Sequence, residues 1–156
     1  MKFIVIAVVI ALAIFYFNRN STNKKVALEN IAAGKDFLAK NKTNEDVLET
    51  ASGLQYQVLQ KGEGSAHPSS SSTVKVHYHG MLLDGTVFDS SVERDAPISF
   101  PLNQVISGWT EGVQLMVVGD KFKFFIPAEL GYGNRATGKI TPGSLLIFEV
   151  ELLEIQ

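Results

Sequence analysis

The chain has 156 residues, 46% of them hydrophobic, with 14 Lys+Arg against 16 Asp+Glu and a formal net charge of −2. This length accommodates one domain with an appendage and a real core, and the slightly acidic balance argues against a nucleic-acid partner. Without Cys there is no disulfide framework, thiolate metal site or cysteine nucleophile.

The first predicted element is the apolar run Phe3 to Phe17, set between Lys2 and Asn18-Arg19-Asn20. As a helix it reaches about 22 Å, against roughly 30 Å of hydrocarbon. It is therefore a signal sequence, or a short anchor helped by snorkelling Lys2 and Arg19. Ala11-Leu12-Ala13 resembles a cleavage pattern, but cleavage there would leave Ile14-Phe15-Tyr16-Phe17 at the new terminus. Those aromatics suit an interfacial belt, so residues 1–20 are read as an uncleaved anchor, with a cleaved soluble form as the alternative.

Residues 21–52 are more polar. Val26, Ile31 and Phe37-Leu38, with Ala27, Ala32 and Ala33 between them, predict an amphipathic helix from about Lys24 to Asn41. Lys42 to Asp46 reads as a connector, and the whole segment as a spacer without a sustained heptad.

From Gly53 the pattern becomes that of strands. Leu54 to Leu59 alternates apolar and polar, and so does Thr73 to Leu83, which ends at the turn Asp84-Gly85. Val87-Phe88 continues the pattern, whereas Asp89 to Pro97 reads as a loop. A short helix is expected around Trp109 to Leu115, beginning after Gly108. Lys121 to Pro127 alternates with Phe122, Phe124 and Ile126 on one face and Phe125 on the other. A Gly-rich loop, Leu130 to Thr141, precedes a last strand, Leu145 to Ile155. Together these make residues 53–156 an α+β domain of antiparallel strands around one short helix.

The familiar chemical constellations are incomplete. His77 and His79 share a strand face, but two histidines do not make a metal site. Gly131-Tyr132-Gly133 lacks the spacing of a phosphate loop, Ser90-Ser91 has no convincing base, and Asp89, Glu93 and Asp95 lack the ligand spacing of a hard-cation loop. What remains is a set of aromatics on different elements: Tyr78, Phe88, Phe100, Trp109, Tyr132 and Phe148. Any one of them alone is ordinary core, but Tyr132 between two glycines and Trp109 at a helix start suggest exposure to a pocket.

Val74-Lys75-Val76-His77-Tyr78-His79-Gly80, Asp84-Gly85-Thr86-Val87-Phe88-Asp89-Ser90-Ser91 and Val105-Ile106-Ser107-Gly108-Trp109-Thr110-Glu111-Gly112 resemble FKBP-type peptidyl-prolyl isomerases. So do Gly119-Asp120, Ile126-Pro127, Tyr132-Gly133, Pro142 and Leu146 to Leu152, all in family order. Ala33 to Asn41 and Ser52 to Tyr56 are similar to the bacterial macrophage-infectivity-potentiator (Mip) branch, whose long helical region is represented here by little more than this segment.

The resemblance implies an antiparallel sheet wrapped around the short helix, with an isomerase pocket between them and no cofactor. It assigns catalytic roles to Tyr78, Asp89, Trp109, Tyr132 and Phe148, with Trp109 as the floor and the Tyr132 hydroxyl facing a substrate carbonyl. Phe88, Arg94, Ile98, Phe100, Val105, Ile106 and Ile140 would bind substrate, Ile106 through its backbone N–H. Asp89 would polarise the pocket, or else orient Tyr78 and Arg94 as a structural ion pair. Ile98 stands where some relatives have a pocket Phe, and Leu130 where some have a Tyr. The implied partners are proline-containing polypeptides and macrolide inhibitors of the FK506/rapamycin type, with the membrane engaged through residues 3–17. Three cations, Arg19, Lys24 and Lys25, follow the run, and charge counting alone would leave the domain in the cytoplasm. The resemblance instead implies a domain facing the periplasm from the inner membrane.

Overall fold

The computed structural model describes the backbone from Lys2 to Gln156 and side chains from Val5 onward; the start of the expected anchor, Met1 to Ile4, lies outside the described side chains. The first element, α1, runs unbroken over Lys2–Asn41. The expected anchor and spacer are thus one rod. Asn18-Arg19-Asn20 does not interrupt it, because Asn and Arg cost a helix interior well under 1 kcal/mol each and no Pro intervenes.

The two halves of α1 have different surroundings. Its apolar residues from Val5 to Phe17 are exposed, Phe17 at 69%. Beyond Val26 one stripe turns toward the domain: Ala27 and Gly34 are buried, and Asn30, Ile31, Phe37 and Leu38 are partly buried. These positions recur at three- and four-residue intervals, the spacing of one helix face. A spacer that packs against the domain over this length is part of its structure. The helix ends on Asn41, whose amide donates to Gln55 Oε1 at 2.9 Å. Gln55, wholly buried, returns a bond from Nε2 to the Leu38 carbonyl at 3.0 Å, a second donor to an oxygen that also accepts the Lys42 N–H at 3.1 Å.

Seven strands follow: β1 (Val47–Glu49), β2 (Gln55–Gln60), β3 (Thr73–Leu82), β4 (Val87–Ser90), β5 (Ile98–Pro101), β6 (Lys121–Ile126) and β7 (Leu146–Ile155). They form one antiparallel sheet in the order β1-β2-β6-β7-β3-β4, with β5 also paired to β3. β1 and β5 are too short to show a period-two pattern in the sequence, so neither was foreseen. β4 continues through Asp89 and Ser90, where a loop was expected. The short helix, α2 (Ser107–Val113), begins before Gly108 rather than after it.

The sheet curves around α2. Val74, Val76 and Tyr78 of β3, Phe122, Phe124 and Ile126 of β6, and Phe148, Val150 and Leu152 of β7 share a core with Trp109 and Val113. The opposite face carries a smaller cluster of Phe125, Leu145 and Ile147, packed by Phe37 and Leu38 of α1. The Phe37 and Phe125 rings lie 5.7 Å apart. Alternation along β6 and β7 fails where α1 covers the outer face, since both faces are apolar there.

α2 lies close to the sheet because its inner side is glycine. A Cβ on Gly108 would come within 2.7 Å of Ile126 Cγ2, and one on Gly112 within 2.6 Å of Phe124 Cε1. Both neighbours are buried in the core and cannot swing aside. Gly112→Ala should therefore destabilise the domain by about 1–3 kcal/mol through overpacking, despite the better helix propensity of Ala. A reduced urea midpoint at unchanged slope would report this.

Candidate active site

A cavity of about 590 Å³ opens between α2 and the curved sheet, a size suited to a small molecule or a few residues of peptide. Trp109, carried by α2, forms its floor, 4% exposed and packed at its sides by three rings. Tyr78 of β3, Phe100 of β5 and Phe148 of β7 meet the indole edge-on, at centroid separations of 5.4, 5.7 and 5.3 Å. Phe88 of β4 packs against Phe148 at 5.3 Å and extends the wall. Edge-to-face pairs of this kind are each worth about 0.5–1.5 kcal/mol beyond the area they bury, so the rings hold one another in place. Trp109 Nε1 is a buried donor with no acceptor among the described residues. Such a group costs about 1–3 kcal/mol and marks a site whose arrangement is not set by stability alone.

The rim is more polar. Gln104, Val105 and Ile106, from the turn before α2, line one side. As the residue before the first helical turn, Ile106 has an N–H that meets no carbonyl or side-chain acceptor among the described residues. Tyr132, 38% exposed, lines the opposite side together with Thr137, Gly138, Lys139 and Ile140. These four sit at the tip of a hairpin in which Thr137 and Ile140 exchange backbone hydrogen bonds at 2.8 and 2.9 Å.

Asp89, from β4, closes the edge of the cavity. The Tyr78 hydroxyl donates to Asp89 Oδ2 at 2.5 Å, Arg94 Nη1 donates to Oδ1 at 2.5 Å, and Arg94 Nη2 donates to the Tyr78 oxygen at 3.2 Å. Both carboxylate oxygens are thus committed to a closed triangle. Burial tends to raise the Asp89 pKa, but the bonds from Tyr78 and Arg94 outweigh it and hold the carboxyl below its ordinary range. Burial, seconded by the bond to Asp89, pushes the Tyr78 phenol up.

The cavity therefore gathers Tyr78, Phe88, Asp89, Phe100, Val105, Ile106, Trp109, Tyr132, Ile140 and Phe148 from the residues singled out by sequence. Arg94 does not line it but holds Asp89 and Tyr78 from outside. Ile98 sits at the exposed start of β5, 38% exposed, outside this lining. On a strand paired with β3, Phe100 faces the pocket two residues on, and Ile98 lies beyond the cavity edge. Gln104, Thr137, Gly138 and Lys139 were missed. Nothing in their residue types marks them, and only adjacency to Val105 and Ile140 could have suggested them. His77 and His79 lie outside the cavity, each bonded through Nδ1 to a serine: Ser91 at 2.7 Å and Ser90 at 2.8 Å.

Comparison with known proteins agrees with this architecture. Residues 64–153 match the family model described as FKBP-type peptidyl-prolyl cis-trans isomerase. The chain belongs to this family. Residues 9–58 match the domain described as amino terminal to FKBP-type isomerases, so α1 from Val9 onward lies within a recognised family region. The chain is 57% identical over 132 residues to the FKBP-type peptidyl-prolyl cis-trans isomerase FkpA of Aeromonas hydrophila, covering 85% of this chain and 49% of that protein. It is 44% identical over 139 residues to the outer membrane protein MIP of Legionella longbeachae, covering 88% of this chain and 59% of that one. The crystal structure of FkpA from Escherichia coli superposes with a TM-score of 0.84 at 40% identity, covering 94% of this chain and 71% of that chain. The chain spans about half the length of the curated relatives it matches.

The triangle of this FKBP domain has a defined pH window. Asp89 is favoured as the anion when folded, so its contribution is present above the ordinary carboxylate value of 3.8 and is lost as pH falls through its lower folded value. Tyr78 is favoured as the neutral phenol, so its contribution is present below 10.0 and lost as pH rises through its higher folded value. Thermal unfolding followed from about pH 7 to about pH 3 should show an acid-side loss that is smaller in Asp89→Asn, with screening keeping the difference modest.

Proposed function

We propose that this chain catalyses cis–trans isomerisation of X–Pro bonds in polypeptides, with the prolyl ring seated over Trp109. The observation that carries this reading is the aromatic floor: an indole enclosed edge-on by Tyr78, Phe100 and Phe148 beneath an open cavity. Rotation about the bond passes through a twisted amide about 18–20 kcal/mol above the planar form. The planar amide owes its stability to resonance that places negative charge on oxygen, which water solvates and aromatic rings do not. The twisted amide has lost much of that charge. A desolvated aromatic floor therefore disfavours the ground state more than the transition state, which is differential binding.

The rim orients the peptide. The unpaired Ile106 N–H and the Tyr132 hydroxyl are donors for the flanking carbonyls, so the reacting bond alone stays free to turn. An acceleration of four to six orders of magnitude would need about 5.5–8 kcal/mol from these effects together. With both its oxygens engaged, Asp89 acts in this scheme by orienting Tyr78 and Arg94. Proline-containing polypeptides are the substrates, and macrolides of the FK506/rapamycin type are competitors for the same floor.

A protease-coupled assay on a short X–Pro peptide with the full chain in detergent tests the reading. Trp109→Ala should reduce turnover far more than Tyr132→Phe, which removes about one hydrogen bond, or 0.5–1.5 kcal/mol. A larger loss in Tyr132→Phe would shift the explanation from desolvation to hydrogen bonding. Background turnover by folded wild-type protein would leave a peptide-binding holdase as the better description.

We further propose that the N-terminal part of α1 tethers the domain to the inner membrane, facing the periplasm. By length and composition α1 as a whole could cross a bilayer, and the apolar side chains of its N-terminal part are unburied from Val5 to Phe17. The interval from Phe17 to the first buried contact at Ala27 spans about 15 Å of helix, which would hold the pocket clear of the headgroups. Alkaline phosphatase fused to Gln156 should be active and fractionate with membranes. A stable but inactive fusion would place the domain in the cytoplasm, and an active soluble one would indicate cleavage.

A further inference from the structure

We infer that α1 is a working part of the pocket, with Asn30 as the positioning residue for the hairpin that overhangs it. The hairpin runs from Gly133 to Gly143, closed at its base by the Gly143 N–H to Gly133 carbonyl bond at 2.8 Å. Its tip carries Thr137, Gly138, Lys139 and Ile140 to the cavity. At its tip the hairpin is held by Ile140, which packs in the core, and at its base by the Gly133 N–H to Ala128 carbonyl bond at 2.8 Å; its outgoing limb needs a further attachment. α1 supplies one.

Asn30 Nδ2 donates to the Pro142 carbonyl at 2.8 Å and to Thr141 Oγ1 at 3.0 Å. Thr141 Oγ1 lies 2.8 Å from Ser144 Oγ, which in turn donates to the Thr141 carbonyl at 2.7 Å. Donors and acceptors balance if the Thr141 hydroxyl accepts from Asn30 and donates to Ser144. The circuit runs from the helix into the backbone of the residue following Ile140 and consumes every hydroxyl proton along it. One turn earlier, Ala27 presses directly on Gly143. A Cβ at Gly143 would come within 2.4 Å of the Ala27 carbonyl oxygen, and its φ of +74° is one that glycine adopts without strain. Two positions of one helix face, Ala27 and Asn30, thus hold the outgoing limb of the hairpin, and Gly34, one turn later, meets Leu145 just beyond it.

This arrangement divides the site into a floor set by the sheet and α2 and a roof set by α1. Loss of the Asn30 donor should loosen the roof without touching the floor. The inference that the roof serves substrate rests on the proline-peptide reading, whereas the inference that Asn30 fixes the hairpin does not.

The test uses the full chain in detergent with Asn30→Asp, which keeps shape but removes the donor, and Asn30→Ala. In both, amide exchange at Thr137, Ile140 and Gly143 should accelerate at least about tenfold, with amides of β3 and β7 unchanged, as expected for loss of the anchoring bonds. KM for an X–Pro peptide should rise about three- to tenfold with kcat nearly constant, and the Kd read from fluorescence of the single tryptophan should rise in parallel. Unchanged exchange at the hairpin would overturn the positioning role. Faster exchange with unchanged KM and Kd would overturn its connection to substrate, and acceleration throughout the domain would reduce Asn30 to a general stability residue. If the wild-type chain has no turnover, the proposed activity fails, and exchange with Kd still decides whether Asn30 positions the roof.

Discussion

The packing of three rings around one indole is the constraint on which the rest of the structure depends. Trp109 can be floor to an open cavity and still be buried only because Tyr78, Phe100 and Phe148 approach it edge-on from three different strands. Those strands must curve, since a flat sheet cannot bring β5 and β7 to the same side chain. Curvature in turn requires α2 to lie close, which Gly108 and Gly112 permit by presenting no side chain to Ile126 and Phe124. A large aromatic payload is thereby held rigid at the surface, where such residues would otherwise collapse inward.

The electrostatic design follows from the same geometry. Asp89 and Arg94 sit at the mouth of an apolar cavity, where an uncompensated charge would draw in water. Tyr78 links the ion pair to the floor, since its ring packs on Trp109 while its hydroxyl bonds the carboxylate. The bonds to Tyr78 and Arg94 hold the carboxylate ionised and occupied, and a neutral phenol remains on the pocket side. Charge is kept at the rim and the floor is left to aromatic rings.

The N-terminal helix joins two environments in one rigid element. Its first half exposes a run of apolar residues, and its second half covers Phe125, Leu145 and Ile147 on the outer sheet face and holds the hairpin base through Ala27 and Asn30. A helix packed along its length transmits position better than a flexible linker. Whatever fixes the first half fixes the orientation of the cavity as well.

Much of this was determined by the sequence alone. The alternation of β3 and β6, including the opposed Phe125, is a local property of a half-buried strand and could be read directly, as could the apolar run and the short helix carrying Trp109. The ordered motifs also disclosed the family and most of the aromatic lining. Other features were decided only in three dimensions. β1 and β5 are too short for a period to accumulate, and their existence depends on the pairing edges that β2 and β3 offer. Ile98 and Phe100 look equivalent in sequence, yet only the second reaches the cavity, because the edge falls between them. Gln104, Thr137, Gly138 and Lys139 line the site through the path of the backbone rather than through any distinctive side-chain chemistry. Asn30 is an unremarkable polar residue on a helix until Pro142 and Thr141, more than a hundred positions away, are folded against it. Periodicity records which face of an element is buried. It carries no information about which distant segment will bury it, because that is settled by the packing of the whole chain.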